Sequence, residues 1–169
     1  METSNRNGAP HQLTMTVLAS PDMVNFSGKI HGGAMLRLLD QVAYACACRY
    51  SGAYVVTLSV DQVFFRQPIY LGELITFLSS VNYTGTSSME IGIRVMAENP
   101  RTRNLRHVMS CFFTMVAVGE DSKPITVAKL EPTSEIEKRR YEAALQRKQL
   151  RADYEKAHHA TRNIFKKAA

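Results

Sequence analysis

Three features between residues 25 and 40 could do chemistry: an asparagine in a turn-rich loop, a glycine pair and an aspartate. Gly32 and Gly33 stand where a long apolar run begins, and the first turn of a helix carries unpaired N–H groups and partial positive charge. Such an N–H can bind a carbonyl oxygen that becomes negative during a reaction, and we favour the N–H of Gly32 for this role. Asp40 is a candidate general base or nucleophile, and Asn25 can position a water molecule or polarise a carbonyl.

Each of these residues also has a structural interpretation. Asp40 could form an ion pair with Arg37, three residues earlier on the same helix. The role of Asn25 could be merely to bond its own turn. The glycines could be present merely because they allow the helix to pack tightly on the sheet. His31 precedes the helix, and we interpret it as a residue that holds the loop rather than as a base.

The elements that must position these residues follow from hydrophobic patterning. Residues 31–50 predict a helix that is apolar around most of its circumference and is therefore buried. Ser51-Gly52 predicts the end of this helix. Alternation and β-rich composition predict strands at residues 13–19, 54–65, 73–83, 89–97 and 105–118. The short links between the later strands indicate an antiparallel meander. The sequence therefore predicts an α+β domain, with an antiparallel sheet wrapped around one long central helix.

The spacing of Gly32 and Asp40 sets a distance limit. Eight residues of helix place them about 12 Å apart along the axis. An oxyanion donor lies about 3 Å from its oxygen, and the base must reach a water at the same carbon. One copy of the helix can hardly supply both groups. If both act on one carbonyl, Asp40 must come from a second chain, and the mechanism requires a dimer.

The pattern Asn-Phe-x-Gly-x-x-His-Gly-Gly, followed by a helix with Asp40, resembles the hotdog-fold acyl-CoA thioesterases, and most of all the single-hotdog cytosolic acyl-CoA hydrolase type. The resemblance covers residues 13–118, including Val-Asp-Gln-Val-Phe-Phe at 60–65 and the Thr-Gly-Thr-Ser-Ser hairpin. It implies hydrolysis of fatty acyl-CoA with Asp40 as base or nucleophile, Asn25 assisting and Gly32 polarising the carbonyl.

The same resemblance implies partners and contacts. Dimers are expected to form through a continuous sheet and to assemble as trimers of dimers, which makes a hexamer. CoA contacts are expected from the hairpin and from the strand after it, at Thr86, Ser87, Ser88 and Arg94. The alternative interpretation of Arg94, and the default one for a charged residue on a strand, is a solvated surface charge. No metal or redox cofactor is expected, because no ligand cluster occurs in the sequence.

The change of composition after Gly119, where Pro124 and Pro132 punctuate a linker, suggests a division of the chain. We expect a flexible N-terminus at 1–12, a hotdog domain at 13–119, a linker at 120–133 and a charged helical tail at 134–169. Ser134 and Glu137 form a candidate capping box for a tail helix at about 135–156. From Glu131 onward there are ten Lys or Arg and six Asp or Glu, so the tail supplies most of the net charge of +6.

Composition limits the alternatives. No apolar run approaches the ~18 residues of a membrane span, and no secretory signal is evident. Three cysteines in apolar stretches indicate buried reduced thiols, which favours a cytoplasmic location. A dehydratase would need a His–Glu pair, and His31 lacks an evident partner. A non-catalytic acyl-CoA sensor or interaction module is the main alternative, whereas a nucleic-acid role rests on charge alone.

Overall fold

A computed structural model describes residues 10–167 of the chain, with side chains described as far as His158. Residues 1–9 of the predicted flexible segment 1–12 therefore lie outside the described residues. The chain divides into two compact units, Met1–Leu130 and Glu131–Ala169.

The first unit contains one long helix, α1, at Gly32–Ser51, and five strands. The strands are β1 at Gln12–Leu18, β2 at Tyr54–Val60, β3 at Leu74–Thr84, β4 at Ser88–Asn99 and β5 at Asn104–Val118. A 3-10 turn at Pro21–Met23 occurs in the segment predicted as a loop between β1 and α1.

The five strands form one antiparallel sheet in the order β1-β3-β4-β5-β2. The later strands β3, β4 and β5 form the meander that their short links predicted. Strand β2 does not continue this meander, because it pairs with β5 at the far side of the sheet. The first two strands in the sequence therefore lie at the two opposite edges.

The core lies between α1 and the inner face of the sheet, and α1 contacts all five strands. The prediction that the helix is buried around most of its circumference was wrong, because it buries only one face, while Leu36, Asp40 and Tyr44, at intervals of four residues, remain exposed. The largest fully buried apolar side chains on the strands are Ile75, Phe77, Met89, Ile91, Ile93, Met109, Phe113 and Met115. This is the antiparallel sheet wrapped around a central helix that the sequence predicted.

The helix α1 ends where Ser51-Gly52 predicted. Gly52 has a left-handed backbone (φ 66°), and its N–H donates to the Cys48 carbonyl at 2.9 Å. Glycine adopts this conformation without the steric cost of a side chain, so it commonly terminates helices.

Strand β2 is shorter than the predicted segment 54–65. Its last ladder pair joins Val60 to Phe113, and the Asp61 N–H then donates to the Phe112 carbonyl at 3.0 Å. The chain leaves the sheet after this bond. Residues 61–69 are irregular, and they contribute a wall of the cleft described below.

The second unit contains the helix α2 at Glu135–Lys167, which extends beyond the predicted end near residue 156. The capping box is confirmed: Glu137 N–H donates to Ser134 Oγ at 3.3 Å, and Ser134 N–H donates to Glu137 Oε2 at 3.0 Å. These two bonds satisfy backbone donors that a helix start leaves unpaired.

Candidate active site

The Asn25 side chain is held by its own loop. Its Oδ1 accepts hydrogen bonds from the Ser27 N–H at 2.9 Å, the Ser27 hydroxyl at 2.8 Å and the Lys29 N–H at 3.2 Å. Gly28 completes the turn with a positive φ of 76°. Three donors on one oxygen fix the orientation of the amide, so that Nδ2 is presented as a donor. The structural and functional interpretations of Asn25 are therefore compatible.

The start of α1 distinguishes the two glycines. His31 is the N-cap residue, and its Nδ1 accepts a hydrogen bond from the Gly33 N–H at 2.8 Å. His31 therefore holds the helix start, as we interpreted it from the sequence. Within the described part of the chain, the Gly32 N–H has no hydrogen-bond acceptor. Of the two, Gly32 has the N–H that is available to an external oxygen.

Asn25 and Gly32 line the same cleft, which we call the Asn25–Gly32 cleft and which has a volume of about 420 Å³. The ring of Phe65 covers one side of it, and a Cβ on Gly32 would lie 3.4 Å from Phe65 Cζ. The complete lining is Asn25, Lys29, Ile30, Gly32, Met35, Phe65, Arg66, Gln67, Pro68, Ile69 and Met109. An apolar interior beneath polar groups at the rim is typical of a ligand-binding cleft.

A partly buried ion pair supports one wall of this cleft. Arg106 donates to both carboxylate oxygens of Glu73, each at 2.7 Å, and to the Pro68 carbonyl at 2.7 Å. The Tyr70 N–H also donates to Glu73, at 2.9 Å. The Arg106 hydrogen bonds, which outweigh desolvation, hold the pKa of the Glu73 carboxyl below its ordinary value of 4.5. The pair thus fixes the loop that carries Pro68.

That loop in turn positions the Asn25 loop. The Ile30 N–H donates to the Ile69 carbonyl at 2.9 Å, and Lys29 forms a β-bridge with Tyr70. The wall held by Glu73 and Arg106 is therefore bonded directly to the segment between Asn25 and Gly32.

Asp40 does not line the cleft. It lies on the exposed face of α1, where its Oδ1 accepts a hydrogen bond from the Thr57 hydroxyl at 2.6 Å. Arg37, its partner in the alternative structural interpretation, forms no ion pair with it in the described part of the chain. No signal in the sequence pairs Thr57 with Asp40, because the two lie on different elements.

The expected CoA contacts lie at two separate places. Thr86, Ser87 and Ser88 are in the β3–β4 hairpin, where the Thr86 carbonyl accepts a hydrogen bond from the Val127 N–H at 2.9 Å. Arg94 is exposed on β4, six residues beyond Ser88, which is about 20 Å along the strand. None of these four residues lines the Asn25–Gly32 cleft. The hairpin and Arg94 of one chain therefore do not bind the same phosphate.

Two of the three thiols, those of Cys46 and Cys111, are not suited to nucleophilic chemistry. Both are buried, as their apolar surroundings in the sequence predicted, whereas Cys48 is only half-buried, so the prediction was wrong for that residue. Burial raises the pKa of the Cys111 thiol to about 12, so it stays protonated at neutral pH. In residues 10–158, no group of three or more His, Cys, Asp or Glu side chains is arranged to hold a metal ion. Among the described helices, none is both long and apolar enough to cross a bilayer.

The Thioesterase superfamily profile matches residues 27–103 of the chain. Protein VdlD of Helicobacter pylori is 51% identical over 140 residues, which are 83% of this chain and 80% of that protein. The cytosolic acyl coenzyme A thioester hydrolase of Rattus norvegicus is 34% identical over 133 residues, 78% of this chain. The match spans 35% of that longer protein.

Several solved structures are similar to this chain in both fold and sequence. An apo-hexameric acyl-CoA thioesterase superposes with a TM-score of 0.82 at 36% identity, over 85% of this chain and 92% of that one. The acyl-CoA hydrolase of Staphylococcus aureus, solved with butyryl coenzyme A and coenzyme A, superposes with a TM-score of 0.83 at 27% identity. The superposition covers 91% of this chain and 94% of that one. That hydrolase has also been solved with a single aspartate, asparagine or threonine replaced by alanine.

Proposed function

Because this chain is a hotdog-fold acyl-CoA thioesterase of the Thioesterase superfamily, we propose that it hydrolyses fatty acyl-CoA to fatty acid and CoA at a site shared by two protomers. Asn25 and Gly32 of one protomer bind the thioester carbonyl, and Asp40 of the partner acts on water or on the carbonyl carbon.

The single observation that carries this proposal is the separation of the three residues within one chain. Asn25 and Gly32 line one cleft, whereas Asp40 lies outside it on the exposed face of the same helix. Eight residues of helix correspond to about 12 Å, which is too far for one chain to hold and attack the same carbonyl. A second α1 lying antiparallel beside the first brings the two halves together.

The chemistry follows from these positions. Water adds to the carbonyl carbon, Asp40 accepts its proton, and the oxygen that becomes negative is held by the Gly32 N–H and the Asn25 Nδ2 amide. The C–S bond then breaks, and the thiolate of CoA takes the proton. In the alternative route, Asp40 attacks the carbon itself, and water hydrolyses the resulting anhydride. The Thr57 hydroxyl holds Asp40 in position in both routes.

The Staphylococcus aureus variants support this assignment of residues. The substituted asparagine, aspartate and threonine of that hydrolase are spaced 15 and then 17 residues apart. Asn25, Asp40 and Thr57 have the same residue types and the same spacing in this chain. We therefore include Thr57 with the two residues that the sequence had suggested.

The edge of the sheet offers the surface for the dimer. Strand β2 pairs only with β5 among the described strands, so its other side is open. Its apolar residues other than the buried Val55 are exposed, with Leu58 at 68% and Tyr54 at 62%. An open apolar strand edge readily pairs with another strand. Pairing of two β2 strands would give a continuous sheet and would leave the two exposed α1 faces side by side.

The remaining assignments are extensions of the same proposal. The hexameric relative favours a trimer of dimers, and the cytosolic relatives favour a cytoplasmic location. Thr86, Ser87, Ser88 and Arg94 are proposed to contact the nucleotide part of CoA from different protomers, since one chain holds them far apart.

Release of free CoA thiol from a panel of acyl-CoAs tests the proposal. The wild type is expected to hydrolyse them, and Asp40→Asn is expected to lose about a thousandfold in kcat, as when a catalytic base is removed. Asp121→Asn, at an exposed carboxylate in an ion pair with Lys123, is the matched control and should retain full activity. Undiminished turnover in Asp40→Asn would refute the assignment. Binding of acyl-CoA without any turnover by the wild type would favour the sensor instead.

A further inference from the structure

We propose that Met35 and Met109 close the inner end of the Asn25–Gly32 cleft and thereby set the longest acyl chain that the enzyme hydrolyses efficiently. This inference rests on the proposed function, because it assumes that the thioester carbonyl lies at Gly32.

The cleft ends in side chains that solvent hardly reaches. Met35 is 2% exposed and Met109 is 1% exposed, and the two come from different elements, α1 and β5. Ile30 and Ile69, which are also buried, complete the apolar floor. The polar lining residues Asn25, Lys29, Arg66 and Gln67 lie instead at the rim. The cleft therefore has one open polar end and one closed apolar end.

Chemistry decides which part of the substrate occupies the closed end. The pantetheine arm of CoA contains two amide groups, and burying an amide without a hydrogen-bond partner is costly. The floor offers methionine and isoleucine side chains, which supply no strong partner. A hydrocarbon chain has no such requirement and gains from leaving water. The acyl chain thus points to the floor, and pantetheine leaves across the rim.

The position of Met35 makes this floor shallow. Met35 is three residues after Gly32, so it lies on the same side of α1 and about 4.5 Å further along the axis. A carbonyl held at the Gly32 N–H therefore has little depth available to its chain before Met35 and Met109 block it. We expect kcat/KM to rise with chain length, reach a limit well short of palmitoyl-CoA and then fall.

Truncating either methionine should move this limit. Replacing Met by Ala removes three heavy atoms, which leaves room for about two or three more methylene groups. Each methylene that is newly buried raises kcat/KM about fourfold. Met35→Ala and Met109→Ala are therefore expected to increase kcat/KM roughly 10- to 60-fold for chains two or three carbons beyond the wild-type limit.

The test is a kcat/KM profile over straight-chain acyl-CoAs from acetyl to palmitoyl. The matched control is Met89→Ala, which truncates an equally buried methionine on β4 that does not line the cleft. Met109→Val, a smaller truncation, provides a second variant if Met109→Ala does not fold. Competitive inhibition by free fatty acids of the same lengths gives an independent readout of the chain that fits.

A shift of the limit in the Met35 and Met109 variants, with no shift in Met89→Ala, would support the proposal. An unchanged limit in the folded cleft variants, or the same shift in the control, would overturn it. A wild type that hydrolyses no acyl-CoA would instead contradict the proposed function, so the two failures are distinguishable.

Discussion

Removing the Thr57 hydroxyl should slow the reaction without weakening substrate binding. A hydroxyl has one proton, and the Asp40 carboxylate at 2.6 Å is a much stronger acceptor than the Met115 sulfur at 3.5 Å. Hydrogen bonds to charged groups contribute about 1.5–3 kcal/mol. If that contribution serves to align Asp40 in the transition state, Thr57→Val, which keeps the side-chain shape, should lower kcat about 10- to 150-fold.

The assay is steady-state release of CoA thiol, with kcat and KM determined separately. Thr57 contacts Asp40 rather than the Asn25–Gly32 cleft, so KM should stay within about twofold. Thr57→Ser keeps the hydroxyl and should remain within a few-fold of the wild type. Since β2 is the proposed dimer edge, sedimentation must show that each variant has the wild-type assembly. Wild-type kcat in Thr57→Val, or an equal loss in Thr57→Ser, would refute the reasoning.

Two further predictions concern the cleft wall and the strand edge. Glu73→Gln should lower the free energy of unfolding by about 3 kcal/mol at pH 7, because it leaves the largely buried Arg106 without its charge partner. The pKa of Glu73 is lowered in the folded protein, so its stabilisation is present above pH 4.5 and lost as the pH falls through the folded value. In urea unfolding, the free energy of unfolding of the variant should not show this loss of stability at acid pH. A pH dependence of stability identical to that of the wild type would contradict the role of the pair. Leu58→Lys should reduce the sedimenting mass and abolish activity together, because it places a charge in the proposed apolar interface. Leu105→Lys, at another exposed leucine near the β4–β5 hairpin, should do neither.

Local signals predicted the elements well. Periodicity placed α1 and the five strands, Gly52 marked the end of α1, and Ser134 with Glu137 marked the start of α2. Each of these signals depends on residues that are close in the sequence.

Features that depend on long-range contacts were not predictable in the same way. The pairing of β2 with β5 joins segments more than fifty residues apart, and no local pattern specifies it. The bond from Thr57 to Asp40 and the clamp between Glu73 and Arg106 likewise depend on how strands and loops meet in three dimensions. The sequence could identify Asn25, Gly32 and Asp40 as candidates, but the cleft that contains only the first two became apparent from the structure.

The most direct test of the shared site is complementation between two inactive variants. Asp40→Asn lacks the base, and Asn25→Asp keeps an oxygen for the loop donors while it loses the Nδ2 donor. When both chains are co-expressed, about half of randomly formed dimers are mixed, and each mixed dimer has one intact site of two. A site built from two protomers therefore predicts recovery of about a quarter of wild-type activity in the mixed population. No recovery in a sample whose mixed dimers have been isolated with two different affinity tags would contradict it.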